Sequence, residues 1–410
     1  MGYEFSPAPR ALFRGIRKLL PGHTLILERG GKTKISLFWS LEVKTVDPSG
    51  DALLDLFERV CSDHMMSDVP VGAFLPGGID SSSVVHFVAS AAGEGLQKSA
   101  LGYADESFSE FNYARRVAEH YRTKHAELMI PPVSPKAINH SIHHLGEPMT
   151  DLSNLPFMLI CGKAANRLAS LPIPFRQTLY RGVIAALKDN DQKKGAQNIA
   201  TRFLQSVVLP RQGEHMRCQY FMNPERDGSL FRREVLQQVD TDPFLPIATW
   251  LSQAPPERAR REQFVELNTI LPDSVLMKVD KMSMAHSLEV QVPFLDHRVI
   301  EHCYSLPSNL KLKGYETKWI FKEAMQKRLL PGIARRGKQG FSFPIKNWIR
   351  GDLASYTREE IFASPAIENH FDRSELQRLW NEHQASTHNR IHLLWTLLNI
   401  GLWGKMWHVS

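Results

Sequence analysis

The 410-residue sequence is poor in cysteine. It has four, Cys61, Cys161, Cys218 and Cys303, and no Cys-x-x-Cys pair. That excludes a disulfide scaffold and argues against a zinc or dithiol redox site. Long apolar runs are absent too. The most apolar stretch, Ile391 to Trp403, contains His392 and Asn399 and is too short to span a bilayer. The opening residues carry no secretory-leader pattern, so a cytoplasmic protein with no membrane partner is expected. Glycine and proline, 25 each, are too few for a collagen-like or low-complexity chain. No internal repeat occurs. Neither sign of charge dominates: 50 Lys and Arg oppose 43 Asp and Glu, and the net +7 is spread in short clusters such as Arg258-Ala259-Arg260-Arg261. No nucleic-acid partner is expected from such a distribution. What is present, 43% apolar and 23% charged residues, is a globular composition able to bury a sizeable core. The length fits two or three domains of about 150 residues each.

Residues 1–45 read as a separate N-terminal piece. Leu25–Leu27 and Ile35–Trp39 are strand-like runs around Arg29-Gly30-Gly31-Lys32, and a lone hairpin cannot bury a core by itself. Asp47-Pro48-Ser49-Gly50 reads as a linker into a second piece, residues 46–410. From Asp51 the pattern is α/β. A helix is predicted over Asp51–Met66, a buried strand over Val69–Leu75 and a helix over Ser83–Ala92. A second strand follows over Ala100–Tyr103, a helix over Glu110–Arg122 and a third strand over Ala126–Ile130. This alternation predicts a parallel sheet with helical crossovers, with ligands at the carboxyl ends of the strands. Beyond Asn166 the pattern is mostly helical: Gln263–Leu271, Lys318–Arg328, Arg373–Gln384 and Arg390–Trp403.

The strongest chemical signal is the turn Pro76-Gly77-Gly78-Ile79-Asp80-Ser81-Ser82 between the first of these strands and its helix. Two glycines let the backbone approach a ligand closely. Amides at the helix start form an anion site, and Ser81, Ser82 and Ser83 add hydroxyl donors. Asp80 would repel a bare phosphate, so its useful role is to hold Mg²⁺ bridging phosphate oxygens. The competing reading is an ordinary strand-to-helix turn with a Ser or Asp cap. The order strand, Gly-Gly-x-Asp-Ser-Ser, helix is the more specific observation. His143, His144, His383 and His388 lack companion ligands and read as surface or core histidines.

The turn resembles the pyrophosphate loop of the ATP pyrophosphatase superfamily, whose pattern is Ser-Gly-Gly-x-Asp-Ser-Ser. Pro76 stands at the first position and removes a hydroxyl and an amide donor. Further segments resemble one branch, the asparagine synthetases. These are Pro7 to His23, Ser67 to Leu75, Tyr113 to His120, Glu147-Pro148, Asp151 to Pro156, Leu271 to Asp296 and Lys338 to Pro344. The resemblance implies an adenine nucleotide alpha hydrolase-like α/β domain with a mostly helical C-terminal part, preceded by a remnant of a glutaminase domain. It implies ATP and Mg²⁺ as cofactors, and aspartate and ammonia as substrates. Aspartate would be amidated through β-aspartyl-AMP, with release of AMP and pyrophosphate. Carried over, Gly77, Gly78, Ser81 and Ser82 bind pyrophosphate and Asp80 holds Mg²⁺. Leu75 and Leu101 contact adenosine, and Lys318 in Tyr315-Glu-Thr-Lys meets the departing phosphates.

Two departures follow from the same resemblance. Residue 2 is glycine where the family exposes a nucleophilic cysteine, so no glutamine hydrolysis by this chain is expected. After Lys163-Ala164-Ala165 the family has a strand and an acidic loop, Ser-Gly-x-Gly-x-Asp-Glu. No such motif occurs in this sequence, which runs on directly to Leu171-Pro172. An internal deletion is inferred, and with it impaired activity. The alternatives are an amidotransferase acting on another carboxylate, and a non-catalytic subunit that binds a separate glutaminase or an intact homologue.

Overall fold

The computed structural model describes residues 3–68, 72–74, 78–92, 97–103, 111–121, 124–130, 134–149, 228–238, 245–284, 289–335 and 345–409. Its first regular element is an antiparallel hairpin, β1 (His23–Leu27) with β2 (Thr33–Leu37), in the register His23↔Leu37 to Leu27↔Thr33. Gly30 (φ 120°) and Gly31 (φ 84°) close it in a left-handed conformation that side-chain-bearing residues avoid. The two-residue period of the strands places Leu25, Leu27, Ile35 and Leu37 on one face. All four are between 50% and 65% exposed.

The α/β stretch follows. Helix α1 (Gly50–Asp63) is set by its cap: the Ser49 hydroxyl accepts from Ala52 N at 3.2 Å, and Asp47 accepts from Ser49 N at 2.9 Å. The tetrapeptide predicted as a linker is therefore a helix start, with polar side chains answering the orphan amides. Strand β3 (Gly72–Phe74) leads to α2 (Ile79–Ala92), β4 (Gln97–Tyr103), α3 (Phe111–His120) and β5 (Lys124–Ile130). β3 pairs with β4 and β4 with β5, both parallel, and among the described residues β3 is paired along one edge only. Most of the expected boundaries differ by a few residues. The exception with consequences is α2, which begins at Ile79 rather than Ser83.

Helices predominate beyond this point, and the sheets are small. The longer ones are α4 (Pro135–Leu145), α5 (Leu245–Gln253), α6 (Arg258–Asn268), α7 (Met277–Met284) and α8 (His297–Ser305). A two-residue hairpin, β6 (Leu312–Lys313) with β7 (Glu316–Thr317), leads to α9 (Trp319–Met325). The C-terminal part is α10 (Ala354–Phe362), α11 (Pro365–Glu368), α12 (Arg373–Gln384) and α13 (Ile391–Trp407). Among the described residues no helix is long and apolar enough to cross a membrane. Where the sequence predicts one helix ending at Leu271, α6 ends at Asn268 and a π-helical turn, Leu271–Leu276, runs into α7. Pro272 has no amide hydrogen, and its carbonyl is reached by Met277 N–H five residues on.

The chain divides into two compact units, one of Ser40–Pro132 and Val290–Phe343, the other of Met1–Trp39, Val133–Glu289 and Pro344–Ser410. In the first, α1 buries Leu53, Leu54, Phe57, Val60 and Cys61, a spacing that keeps them on one helical stripe. That stripe packs on Val85, Phe87 and Val88 of α2, Val299 of α8 and Ile320, Phe321 and Met325 of α9. Asp296 caps α8, accepting from Arg298 N at 2.9 Å and from the Arg298 guanidinium through both carboxylate oxygens at 2.9 Å. The guanidinium holds the Asp296 carboxyl well below the usual carboxylate range.

In the second unit the N-terminal residues are built in. Phe5 packs with Leu145, Met149, Ile247, Trp250, Val265 and Ile270. Asp273, on the π turn, accepts from Ala8 N at 2.7 Å across 265 positions of sequence. Lys18 donates to Glu147 Oε1 and to the Ser6 carbonyl, each at 2.7 Å. Burial raises the Asp273 carboxyl, while the Ala8 amide and Lys18 pull it down. α13 packs against α4, α10 and α11. Its approach to α11 needs glycine: a Cβ at Gly404 would lie 2.6 Å from Ala366 Cβ.

Candidate active site

The early start of α2 places Asp80, Ser81 and Ser82 inside the first helical turn. The backbone amides that open that turn have no intrahelical partner. Ser82 N donates to the Gly78 carbonyl at 3.0 Å, which closes that turn. The Ser81 hydroxyl donates to Gly78 O at 3.2 Å and the Ser83 hydroxyl to Ile79 O at 2.8 Å. Ser82 is fully buried and among the described residues its Oγ has no hydrogen-bond partner, although buried hydroxyls normally have one. Among the described residues a Cβ built on Gly78 would meet nothing within 4 Å. The 14-residue helix directs its positive end at the same place.

The other half comes from 238 positions further along. Lys318 Nζ lies 2.6 Å from each Asp80 carboxylate oxygen, and both side chains are a little under half exposed. The sequence predicts Lys318 as the first residue of a helix. It is instead the residue before α9, with left-handed backbone, φ 57° and ψ 35°. That conformation is costly for a residue with a Cβ, and the flanks hold it. On one side Glu316 is paired with Lys322 at 3.4 Å and Arg335 at 3.1 Å. On the other, the Lys313 ammonium stands 4.1 Å from the centre of the Trp319 ring. Arg335 also meets Glu323 on α9.

Of the residues singled out from sequence, Gly78, Asp80, Ser81, Ser82 and Lys318 are thus described, and Asp80 and Lys318 are brought into contact. Leu75 and Gly77 lie outside the described residues. Leu101 is on β4, opposite Leu128 of β5. Glu316, Lys313 and Arg335 were missed. Glu316 and Lys322 sit six apart in sequence, so no helical i, i+4 spacing betrayed them. Hard oxygen donors at a helix start, with a buried unsatisfied hydroxyl and a lysine, form a set suited to a divalent cation and to phosphate oxygens.

The sequence profile of the asparagine synthase family matches residues 52–170 and 180–408. The match is interrupted next to Leu171. Asparagine synthetase 1 of Bacillus subtilis, a glutamine-hydrolysing enzyme by its name, is 24% identical over 98% of this chain and 67% of its own length. A putative glutamine-hydrolysing asparagine synthetase of Mycobacterium tuberculosis is 26% identical over 98% of this chain and 65% of its own. The amidase chyE of Penicillium rubens is 22% identical over 84% of this chain. The chain spans about two thirds of the length of these synthetases. The Bacillus alignment runs over 426 positions while 98% of 410 residues is about 402, so that relative has some two dozen residues without a counterpart here. With the profile matching most of the sequence, on both sides of that interruption, the chain belongs to the asparagine synthase family.

Proposed function

We propose that this chain is an asparagine synthetase-like ligase that uses ATP to amidate aspartate with ammonia, at a rate lowered by an internal deletion. One observation carries the reading: Asp80 and Lys318, 238 positions apart and both singled out through the resemblance, meet at the start of α2. In the reaction an aspartate β-carboxylate oxygen attacks the α-phosphorus of ATP and the bond to the β-phosphate breaks, releasing pyrophosphate. Ammonia then attacks the acyl carbon of β-aspartyl-AMP, and AMP leaves. Asp80 and the unpartnered Ser82 hydroxyl fit Mg²⁺ and phosphate oxygens, and the ion when bound would neutralise charge on the leaving pyrophosphate. The amides at the start of α2 and the Ser81 hydroxyl would hold that pyrophosphate. Lys318, a mobile point charge, would follow the departing phosphates. The adenosine contacts of Leu75 and Leu101 belong to the same proposal, as does an adenine nucleotide alpha hydrolase-like fold.

The lowered rate rests on the missing acidic loop. The motif absent after Lys163-Ala164-Ala165 carries this reading, and the two dozen aligned positions of the Bacillus relative without a counterpart here support a loss of residues from the chain. Loss of one general base or acid costs about 10²–10⁴ in rate. A second reading keeps the ligase chemistry with another carboxylate as the acceptor. The test is pyrophosphate release from ATP with Mg²⁺, ammonium and a panel of acids. Slow aspartate-dependent release, abolished by Asp80→Ala, is expected. Release that survives Asp80→Ala would overturn the site, and faster release with another acid would favour the second reading.

A further inference from the structure

The paired Asp80 and Lys318 do more than mark a site. A carboxylate that is to hold a divalent cation has both of its oxygens occupied by an ammonium at 2.6 Å. We propose that this pair is a counter-ion latch: Lys318 keeps free metal off Asp80, and the cation enters only together with the nucleotide. The inference rests on the reading of Asp80 as the metal-holding residue and adds an order of binding to it.

The latch is electrostatic. A divalent cation approaching Asp80 meets one carboxylate already neutralised by a positive group in contact with it, so the net attraction is small. A nucleotide changes that balance. Its phosphate oxygens accept the ammonium, Asp80 is uncovered, and the phosphates supply further negative charge and further ligands for the ion. The chain is built for such a transfer. The Lys318 backbone is fixed in a left-handed conformation between two anchored neighbours, Glu316 held by Lys322 and Arg335, and Trp319 held by Lys313. Its side chain, by contrast, is 44% exposed and held at its tip by Asp80. The ammonium can therefore move from carboxylate to phosphate by rotation about side-chain bonds, with no backbone rearrangement.

The test measures Mn²⁺ binding by the electron paramagnetic resonance of the free ion, with and without a non-hydrolysable ATP analogue. Wild type is expected to bind Mn²⁺ weakly alone and at least tenfold more tightly with the analogue. Lys318→Met should bind Mn²⁺ alone about fivefold more tightly than wild type, the size of effect an exposed ion pair allows. Lys318→Asn, whose side chain suits left-handed backbone, should do the same. The gain should vanish when Asp80→Asn is added. Unchanged Mn²⁺ affinity in both Lys318 variants overturns the latch. If Asp80→Asn also leaves affinity for Mn²⁺ with the analogue unchanged, the site itself is wrong. If that affinity falls while the Lys318 variants gain nothing, the site stands and the latch alone fails.

Discussion

α2, which carries Asp80, and α9, which follows Lys318, lean on one side chain. Phe57 of α1 is fully buried. Its ring centre lies 4.2 Å from Phe294, 5.7 Å from Phe321 of α9 and 5.8 Å from Phe87 of α2, the latter two edge-on. Phe294 and Phe321 also meet at 5.3 Å. Removing a buried phenylalanine to alanine costs about 3–5 kcal/mol, and each ring pair contributes about 0.5–1.5 kcal/mol beyond its area. Phe57→Leu keeps most of the apolar volume and loses the ring contacts, so about 2 kcal/mol is expected. At an m-value near 2 kcal/mol/M that lowers the urea midpoint by about 1 M, read by circular dichroism. Phe57→Ala takes about 4 kcal/mol from a stability of about 5–15 kcal/mol and leaves the unit marginal. The functional consequence separates support from mere stability. The loosened packing reaches α2 and α9 together, so Phe57→Leu should weaken binding of the Mn²⁺–nucleotide pair several-fold. Leu397→Ala in α13, also fully buried, provides the control. It should cost about 2–5 kcal/mol and leave nucleotide affinity unchanged. Equal loss of affinity in both variants, or none in Phe57→Leu, would refute the reasoning.

Asp296→Asn should destabilise by about 2 kcal/mol in urea melts. It keeps a capping oxygen but loses the charge-assisted bonds to a partly exposed Arg298. Because the folded carboxyl is held low, its contribution is present above the unfolded value near 3.9 and is lost as pH falls below that, so wild type and variant should converge in acid. His383 also costs stability in acid, but because the folded chain holds its neutral form. Fully buried, it accepts from Arg390 N at Nδ1, and burial pushes its ring down to about 4. Between 6.5 and 4 the unfolded chain binds the proton and the folded chain does not. Stability should therefore fall by about 3 kcal/mol as pH drops through that window, and His383→Gln should flatten the dependence. A wild-type profile already flat from pH 6.5 to 4 would refute it.

Local chemistry made much of the fold legible. The alternation of apolar runs gave the strands around β4, and the helix predicted over Arg373–Gln384 keeps those limits in α12, where Asp372 caps it. The site was legible in its residue types, since glycines, hydroxyls and a carboxylate before a helix carry their own chemistry. What escaped depends on distant contacts. The amide of Ala8 and the carboxylate of Asp273 meet across 265 positions, and no local pattern in residues 1–20 announces that Phe5 belongs to a core with Val265 and Ile270. The start of α2 escaped for a different reason. Serine and aspartate disfavour helix interiors, so propensity placed the boundary after them. In the first turn the Ser81 and Ser83 hydroxyls donate to the Gly78 and Ile79 carbonyls, and the helix begins four residues early.

Lys318 joins these two lessons. Its propensity favours a helix, yet its backbone is left-handed, and the cause lies in partners on both sides and in Asp80 across the site. Strain of this kind persists where surrounding contacts over-determine it. Here those contacts fix the main chain of Lys318 while leaving the ammonium on an exposed carboxylate, an interaction that water and salt weaken. Behind the site, the phenylalanines on α1, α2 and α9 are packed at ring-contact distance and resist displacement. The cheapest change available to this arrangement is therefore an exchange of partners by one charge. The salt dependence of Mn²⁺ binding should show it. Raising ionic strength should loosen the Lys318–Asp80 pair and narrow the difference between wild type and Lys318→Met. A difference that persists unchanged at 1 M salt would locate the cause in backbone geometry instead of charge.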